Sequence, residues 1–398
     1  MPLSHPPGHA QADFGEAEVI VAGVQQKAHF FVMDLPHSDA AFVMAFPGET
    51  SEAFCEGHNA ALAYFGGVPV RIVYDNSKIA VARILGDGTR KKTQIFSELQ
   101  SHYLFEERFA RPAKGNDKGK VEGLVGYARR NFFVPMPRVN SFAELNARLQ
   151  EQCHKRRARL LRGHQQSIGE RFERDRQAFL PLPATPYEAC DKVTTRVTSL
   201  SLVRYRSNDY SVPAAYGHRQ VMVKGYVDEV VICCGTLLIA RHARCYGREE
   251  TIYDPLHYLA LLEHKTNALE QAAPLQNWSL PEEFGQLRHL LEVRQSKCRK
   301  RKGQREYIQV LRLLECFPFE TVTWAVGQAL RLQAISFDAV KHLVLCRLER
   351  RPAHLDLTLY PHLPVAQVSL TAVSEYLGLL SHTAEGVNHG NEFFDNSF

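Results

Sequence analysis

No stretch of this 398-residue chain stays apolar for the roughly 18 residues that a membrane span needs. The opening residues, Met1-Pro2-Leu3-Ser4-His5-Pro6-Pro7-Gly8-His9, lack the apolar centre of a secretory leader, so the chain reads as intracellular. Nine cysteines, an odd number, are scattered with no C-x-x-C pair, which excludes a disulfide framework or a zinc ribbon. Cys233 and Cys234 adjoin within an apolar run, and reduced, mostly buried thiols are expected. His5 and His9 have ligand-like spacing, but no cysteine pair follows, so zinc is not expected there. No G-x-x-x-x-G-K-[ST] motif is present, so nothing in the chain encodes a nucleotide-binding loop. Neither sign of charge dominates: the net charge is +5 and the pI about 8.6. Any nucleic-acid reading must therefore rest on local clusters. There is no internal repeat. What remains is 45% hydrophobic residues over a length that suits two to three globular domains.

The most informative stretch is Arg111-Pro112-Ala113-Lys114-Gly115-Asn116-Asp117-Lys118-Gly119-Lys120-Val121-Glu122. It opens as a loop, and Asn116 or Asp117 can cap a helix. Val121, Leu124, Val125 and Ala128 then recur at helical spacing, with Glu122 at the margin of that stripe. Lys118 and Arg129 share its face. Alone, such a glutamate is more often an ordinary surface ion pair. Two aspartates change the balance. Asp13 lies in Gln11-Ala12-Asp13-Phe14-Gly15-Glu16-Ala17, just before an apolar strand candidate. Asp75 closes the apolar run Val70–Tyr74 and is followed by Asn76, Ser77 and Lys78. Alone, each would pass for a turn residue. The separations, 75 − 13 = 62 and 122 − 75 = 47, allow all three acids to meet at one end of a sheet. Glu16 is set aside, because three residues from Asp13 is an odd offset that crosses the strand.

These segments resemble the DDE transposases of the IstA type, relatives of retroviral integrases with a ribonuclease-H-like core. The matching words are QADFGEA, KAHFFVMDLPHSDA, GGVPVRIVYDNSKIAV, ELQSHYLFEERFARPAKGNDKGKVEGLVGYARRNF and SLVRYRSNDYSVPAAYGHRQV, from about His9 to about Leu380. The resemblance implies cleavage at transposon ends and transfer of the 3′-OH into target DNA. It implies two Mg²⁺ (or Mn²⁺) ions, with Asp13 bridging both, Asp75 on one and Glu122 on the other. Carboxylates suit such hard cations, and a pair of ions roughly 3.5–4 Å apart is the usual device for phosphodiester chemistry. It further implies an AAA+ ATPase helper of the IstB type, a homo-oligomer on DNA, and a place in the cytoplasm at the nucleoid. Two rivals stand beside it: a remnant that binds DNA without transposing, and a ribonuclease-H-like nuclease that cuts without joining. Family members carry a helix-turn-helix region ahead of the core. Here the core words start almost at once, which reads as a fragment or a gene that has lost its front.

The expected fold class is an α/β ribonuclease-H-like core, with a mixed five-stranded sheet and helices, then a small β-barrel and an α-helical C-terminal region. Residues 1–10 are expected to be a loop, 11–137 the catalytic core, and 138–190 a basic helical linker. Residues 191–248, with short valine-rich strands, are expected to be a DNA-binding barrel. Residues 249–380 are expected to be helical and 381–398 a disordered tail. Strands are expected at 18–24, 28–35, 40–46 and 70–74, and helices at 51–65 and 118–132. Candidate DNA contacts are Asn76, Lys78, Lys114, Lys118, Lys120 and Arg129, with Arg299, Lys300, Arg301 and Lys302 in the basic run 294–305. Tyr205, Tyr210 and Tyr216 could stack on bases but are more often core or rim residues.

Overall fold

The computed structural model describes residues 5–74, 81–84, 90–109, 119–294 and 300–349. The expected tail therefore lies outside the described residues.

The chain opens with a long antiparallel meander, β1 (His9–Val21), β2 (Val24–Leu35) and β3 (Ala40–Phe46). Ala22 and Gly23, both at positive φ (49° and 82°), make the two-residue turn that matches strand twist. Helix α1 (Ser51–Phe65) follows, capped by the Thr50 hydroxyl and closed by Gly66 at φ 73°. Strand β4 (Arg71–Tyr74) then pairs parallel with β1. A hairpin, β5 (Val81–Ile84) and β6 (Arg90–Lys92), and helix α2 (Gln94–Tyr103) lead to β7 (Glu106–Phe109), parallel with β4. Next come α3 (Gly119–Asn131), β8 (Arg138–Val139), α4 (Phe142–Arg157) and α5 (Ile168–Gln177).

The sheet order is β3-β2-β1-β4-β7, a mixed sheet of the expected kind. Two details differ from the sequence reading. β1 begins at His9, so the expected leading loop ends earlier and Asp13 sits within a strand rather than before one. A short sixth strand, β8, also pairs with Ile20–Val21, because β1 outruns β4 and leaves that edge free.

Alternation along the strands assigns the two faces. Ala10, Ala12, Phe31, Met33, Ile72 and Tyr74 enter the layer under α1 and α2. Val19, Phe30, Val32, Val43 and Ala128 enter the layer under α3 and α4. His58 of α1 is fully buried in the first layer. Its Nδ1 donates to the Phe54 carbonyl (2.7 Å), so its Nε2 accepts from the Tyr74 hydroxyl (2.8 Å). Burial pushes the imidazole down to about 4. The unfolded imidazole titrates near 6.5, so the unfolded chain binds the proton first as pH falls. The contribution of His58 is complete above that value and drains away toward about pH 4, by up to about 1.4 kcal/mol per pH unit. Urea denaturation across this window should give a shallower pH slope for His58→Gln than for the parent; equal slopes would refute the assignment.

Beyond a proline-rich connection lie seven short strands. β12 (Gln220–Gly225), β13 (Glu229–Cys234), β14 (Leu237–Ala243) and β9 (Asp191–Arg196) form one sheet, in the order β14-β13-β12-β9. β10 (Leu202–Tyr205), β11 (Asn208–Ser211) and β15 (Thr251–Ile252) form another. Both feed one core that includes Val203, Tyr205, Tyr210, Val223 and Ile232. The remaining described elements are helices: α6 (Leu256–His264), α7 (Ala273–Gln276), α8 (Glu282–Arg294), α9 (Lys300–Arg312), α10 (Phe319–Arg331) and α11 (Phe337–Glu349). Among the described residues, no helix is long and apolar enough to cross a membrane.

Candidate active site

Asp13 stands half-buried in mid-β1, opposite Val32 of β2. Directly opposed residues share a face, and Val32 belongs to the α3/α4 layer, so Asp13 points to that side. Its Oδ1 accepts from the Phe14 backbone N–H at 2.9 Å. Two residues on, Gly15 faces the same way. A Cβ there would come within 2.4 Å of the Phe30 ring and 2.8 Å of a Val125 methyl. The missing side chain is thus what lets α3 lie close on β1. The Arg129 Nε donates to the Glu16 carbonyl at 2.9 Å, and Phe133 lines a cavity of about 600 Å³ with Ala17. α3 therefore runs in the same direction as β1. Glu122 precedes Val125 by three residues, about 4.5 Å along the helix axis, while Asp13 precedes Gly15 by about 6.6 Å of strand. The backbone of Glu122 accordingly lies toward the Asp13 end of the contact.

The last described residue of β4, Tyr74, pairs with Ala12, the residue before Asp13. Asp75 itself lies outside the described residues, as do Asn76, Lys78, Lys114, Lys118 and Arg299. Lys120 belongs to the first turn of α3 and Lys300 to that of α9. Arg301 and Lys302 are exposed on α9, so part of the basic run expected between helices is itself helical. Tyr205 and Tyr210 are buried in the two-sheet core and offer no stacking surface. Among the described residues, no group of three or more His, Cys, Asp or Glu is poised to hold a metal.

Sequence reasoning missed Glu49, in the loop after β3. Its carboxyl is raised above the usual carboxylate range, first by desolvation and then by the Asp13 and Glu16 charges, with His29 opposing. Nothing local marks it, because β3 and β1 are brought together only through β2. Glu16, on the far face from Asp13, is engaged by Lys27 at 2.9 Å.

Residues 182–254, the region of the two small sheets, match the family described as Mu transposase, C-terminal domain. The transposase for insertion sequences IS1326/IS1353 of Pseudomonas aeruginosa is 33% identical over 359 residues, covering 88% of this chain and 69% of that protein. This chain belongs to the insertion-sequence transposase family. A transposase of Aminobacter aminovorans is 34% identical over 339 residues, covering 83% of this chain and 65% of its own length. The chain thus spans about two thirds of the length of these curated relatives. Among solved structures, the HTLV-2 integrase catalytic core domain in complex with magnesium aligns at a TM-score of 0.31. The identity there is 14%, covering 42% of this chain and 98% of that one.

Proposed function

We propose that this chain is the catalytic part of a DNA transposase, in which Asp13, Asp75 and Glu122 together hold two Mg²⁺ (or Mn²⁺) ions. Cleavage at the transposon ends and transfer of the freed 3′-OH into target DNA would use this one site. The observation that carries the reading is the seating of α3 on the Asp13 face of β1 through Gly15 and Val125. That contact directs the first turns of α3, which include Glu122, toward Asp13. Support for Asp75 comes from the β1–β4 register: it is bonded to Tyr74, whose partner adjoins Asp13. Carboxylate oxygens are the donors that hard divalent cations take, and the half-buried Asp13 carboxylate is within reach of solvent. Such ions, when bound, stabilise the attacking and leaving oxygens of a phosphodiester exchange. The acids fix where the scissile phosphate must sit. The cations Lys114, Lys118, Lys120 and Arg129 on and before α3, with Asn76 and Lys78, would hold the strands beside it. The two-sheet region would serve as a barrel-like DNA-binding module, with Arg299, Lys300, Arg301 and Lys302 tracking further phosphates.

The partners proposed are transposon-end and target duplexes, further copies of this chain, and an AAA+ helper of the IstB type, working at the bacterial nucleoid. Incubating the protein with pre-cut transposon ends, Mg²⁺ and a plasmid tests this. Joined end–plasmid products are expected. Cleavage without joining would replace the reading by a nuclease, and a mobility shift with neither would replace it by a DNA-binding remnant.

A further inference from the structure

We propose that Arg130, three residues beyond Tyr127 on α3, together with Arg156 at the end of α4 and Arg159 just past it, both of which touch Tyr127, form a platform that grips the phosphate backbone of double-stranded DNA. The proposal rests on the DNA reading above and adds a surface apart from the three acids. The Arg156 guanidinium stands 4.2 Å from the centre of the Tyr127 ring. Arg159 Nη1 donates to the Tyr127 hydroxyl at 2.7 Å. Arg130 lies three residues beyond Tyr127 on the same face of α3. It folds back over Gly126, where an added Cβ would stand 3.4 Å from its Nη1.

These three cations have no carboxylate partner among the described residues. Their neighbours on α4 do: Arg148 pairs with Glu144 and Lys155 with Glu151 (2.7 Å). Grouping three positive charges without a counter-ion costs free energy through mutual repulsion, and an anion at that place relieves it. Arg130 and Arg159 are exposed, so their remaining N–H groups are open to an incoming anion. A guanidinium stacked on a ring keeps its in-plane N–H groups for phosphate oxygens and loses little freedom on binding them. The Tyr127 ring is covered by Arg156 on one side and packs against Phe132 at 83°, so it is already engaged rather than open to a base. The platform therefore suits backbone, not base, recognition. Tyr127 is five residues beyond Glu122, about 7.5 Å along the helix axis, so bound duplex would run beside the acids.

The test is the salt dependence of duplex binding, followed by fluorescence anisotropy on the full chain. Each lost phosphate contact lowers the slope of log affinity against log salt by about 0.9. Arg130→Gln, Arg156→Gln and Arg159→Gln together should make the slope shallower by about 2.7. Between about 50 and 200 mM salt the parent would then lose roughly 40-fold more affinity than the variant. Because Arg156 also packs on Tyr127, the pair Arg130→Gln and Arg159→Gln serves as a milder variant, with an expected change of about 1.8. Arg331→Gln, an exposed change on α10, should leave the slope alone. Parental slopes in both platform variants of a protein that binds DNA would overturn the platform only. A parent that binds no duplex would overturn the platform and the DNA reading together.

Discussion

Glu122→Gln protein should bind transposon-end DNA within about twofold of the parent and join it to target at least roughly a thousandfold more slowly. The substitution keeps size and one carbonyl oxygen but removes the negative charge. A neutral amide is a poor ligand for a hard divalent cation. Asp13→Asn should behave in the same way, because the acids act as a unit and removing one disables the site. A second readout separates lost ligation from lost folding. Mg²⁺ at about a hundred times its dissociation constant should stabilise the parent by about 2.7 kcal/mol against denaturant and leave both variants unmoved. Glu49→Gln is the informative control. Glu49 lies within electrostatic reach of Asp13, and its carboxyl is raised by desolvation and by that neighbour. If Glu49 were the third ligand, its amide variant would fail to join DNA while Glu122→Gln stayed active, and the assignment of α3 would be lost.

Why Asp13 was legible as a site residue but misplaced in the fold has a physical answer. Gln11, Asp13 and Glu16 break the apolar alternation, so the strand seemed to begin after them. In the structure β1 is a central strand, paired on both sides, and that pairing rather than side-chain composition holds residues 9–16 extended. The apolar strands β2 and β3 and helix α1 were readable because their own residues supply the core. α5 falls inside the expected basic helical linker, but its bounds carry little apolar signal, since only Ile168 and Phe172 are large and apolar in it. Its stability comes from the Ser167–Glu170 capping box and from Arg171, buried against Asp39 at 2.8 Å. β9 is another such case: six mostly exposed residues become a strand only through pairing with β12, 24 to 34 residues on. Local pattern reports what an element buries by itself; pairing distant in sequence leaves no local trace.

Glu52→Gln should lower stability by about 3–5 kcal/mol, more than any other single change considered for the scaffold. Glu52 sits in the first turn of α1 with none of its side chain exposed. Its Oε1 accepts from Arg244 Nη2 at 3.0 Å and its Oε2 from Arg206 Nη2 at 3.4 Å, joining the catalytic-core layer to the two-sheet region. Arg206 is half exposed and keeps Asp191 at 3.0 Å when Glu52 is lost. Arg244 is 5% exposed and has no second carboxylate within bonding distance among the described residues. Its other contacts are the Tyr226 carbonyl (3.1 Å), the Tyr205 hydroxyl (3.4 Å) and the Tyr205 and Tyr246 rings. The amide would leave a buried guanidinium without its counter-charge, which is the costly half of breaking such a pair. Removing both charges removes that cost, so Glu52→Gln with Arg244→Met should recover most of the loss. The two tryptophans, Trp278 and Trp324, lie in the helical region, so hydrogen exchange of the β9 and β14 amides is the sharper probe of this junction. Unchanged exchange in the single variant, or a double variant as unstable as the single one, would show that the pair does not hold the two regions together. The expected pattern, loss and then recovery, would mean that the buried Glu52–Arg244 pair is a main tie between the five-strand layer and the two-sheet region.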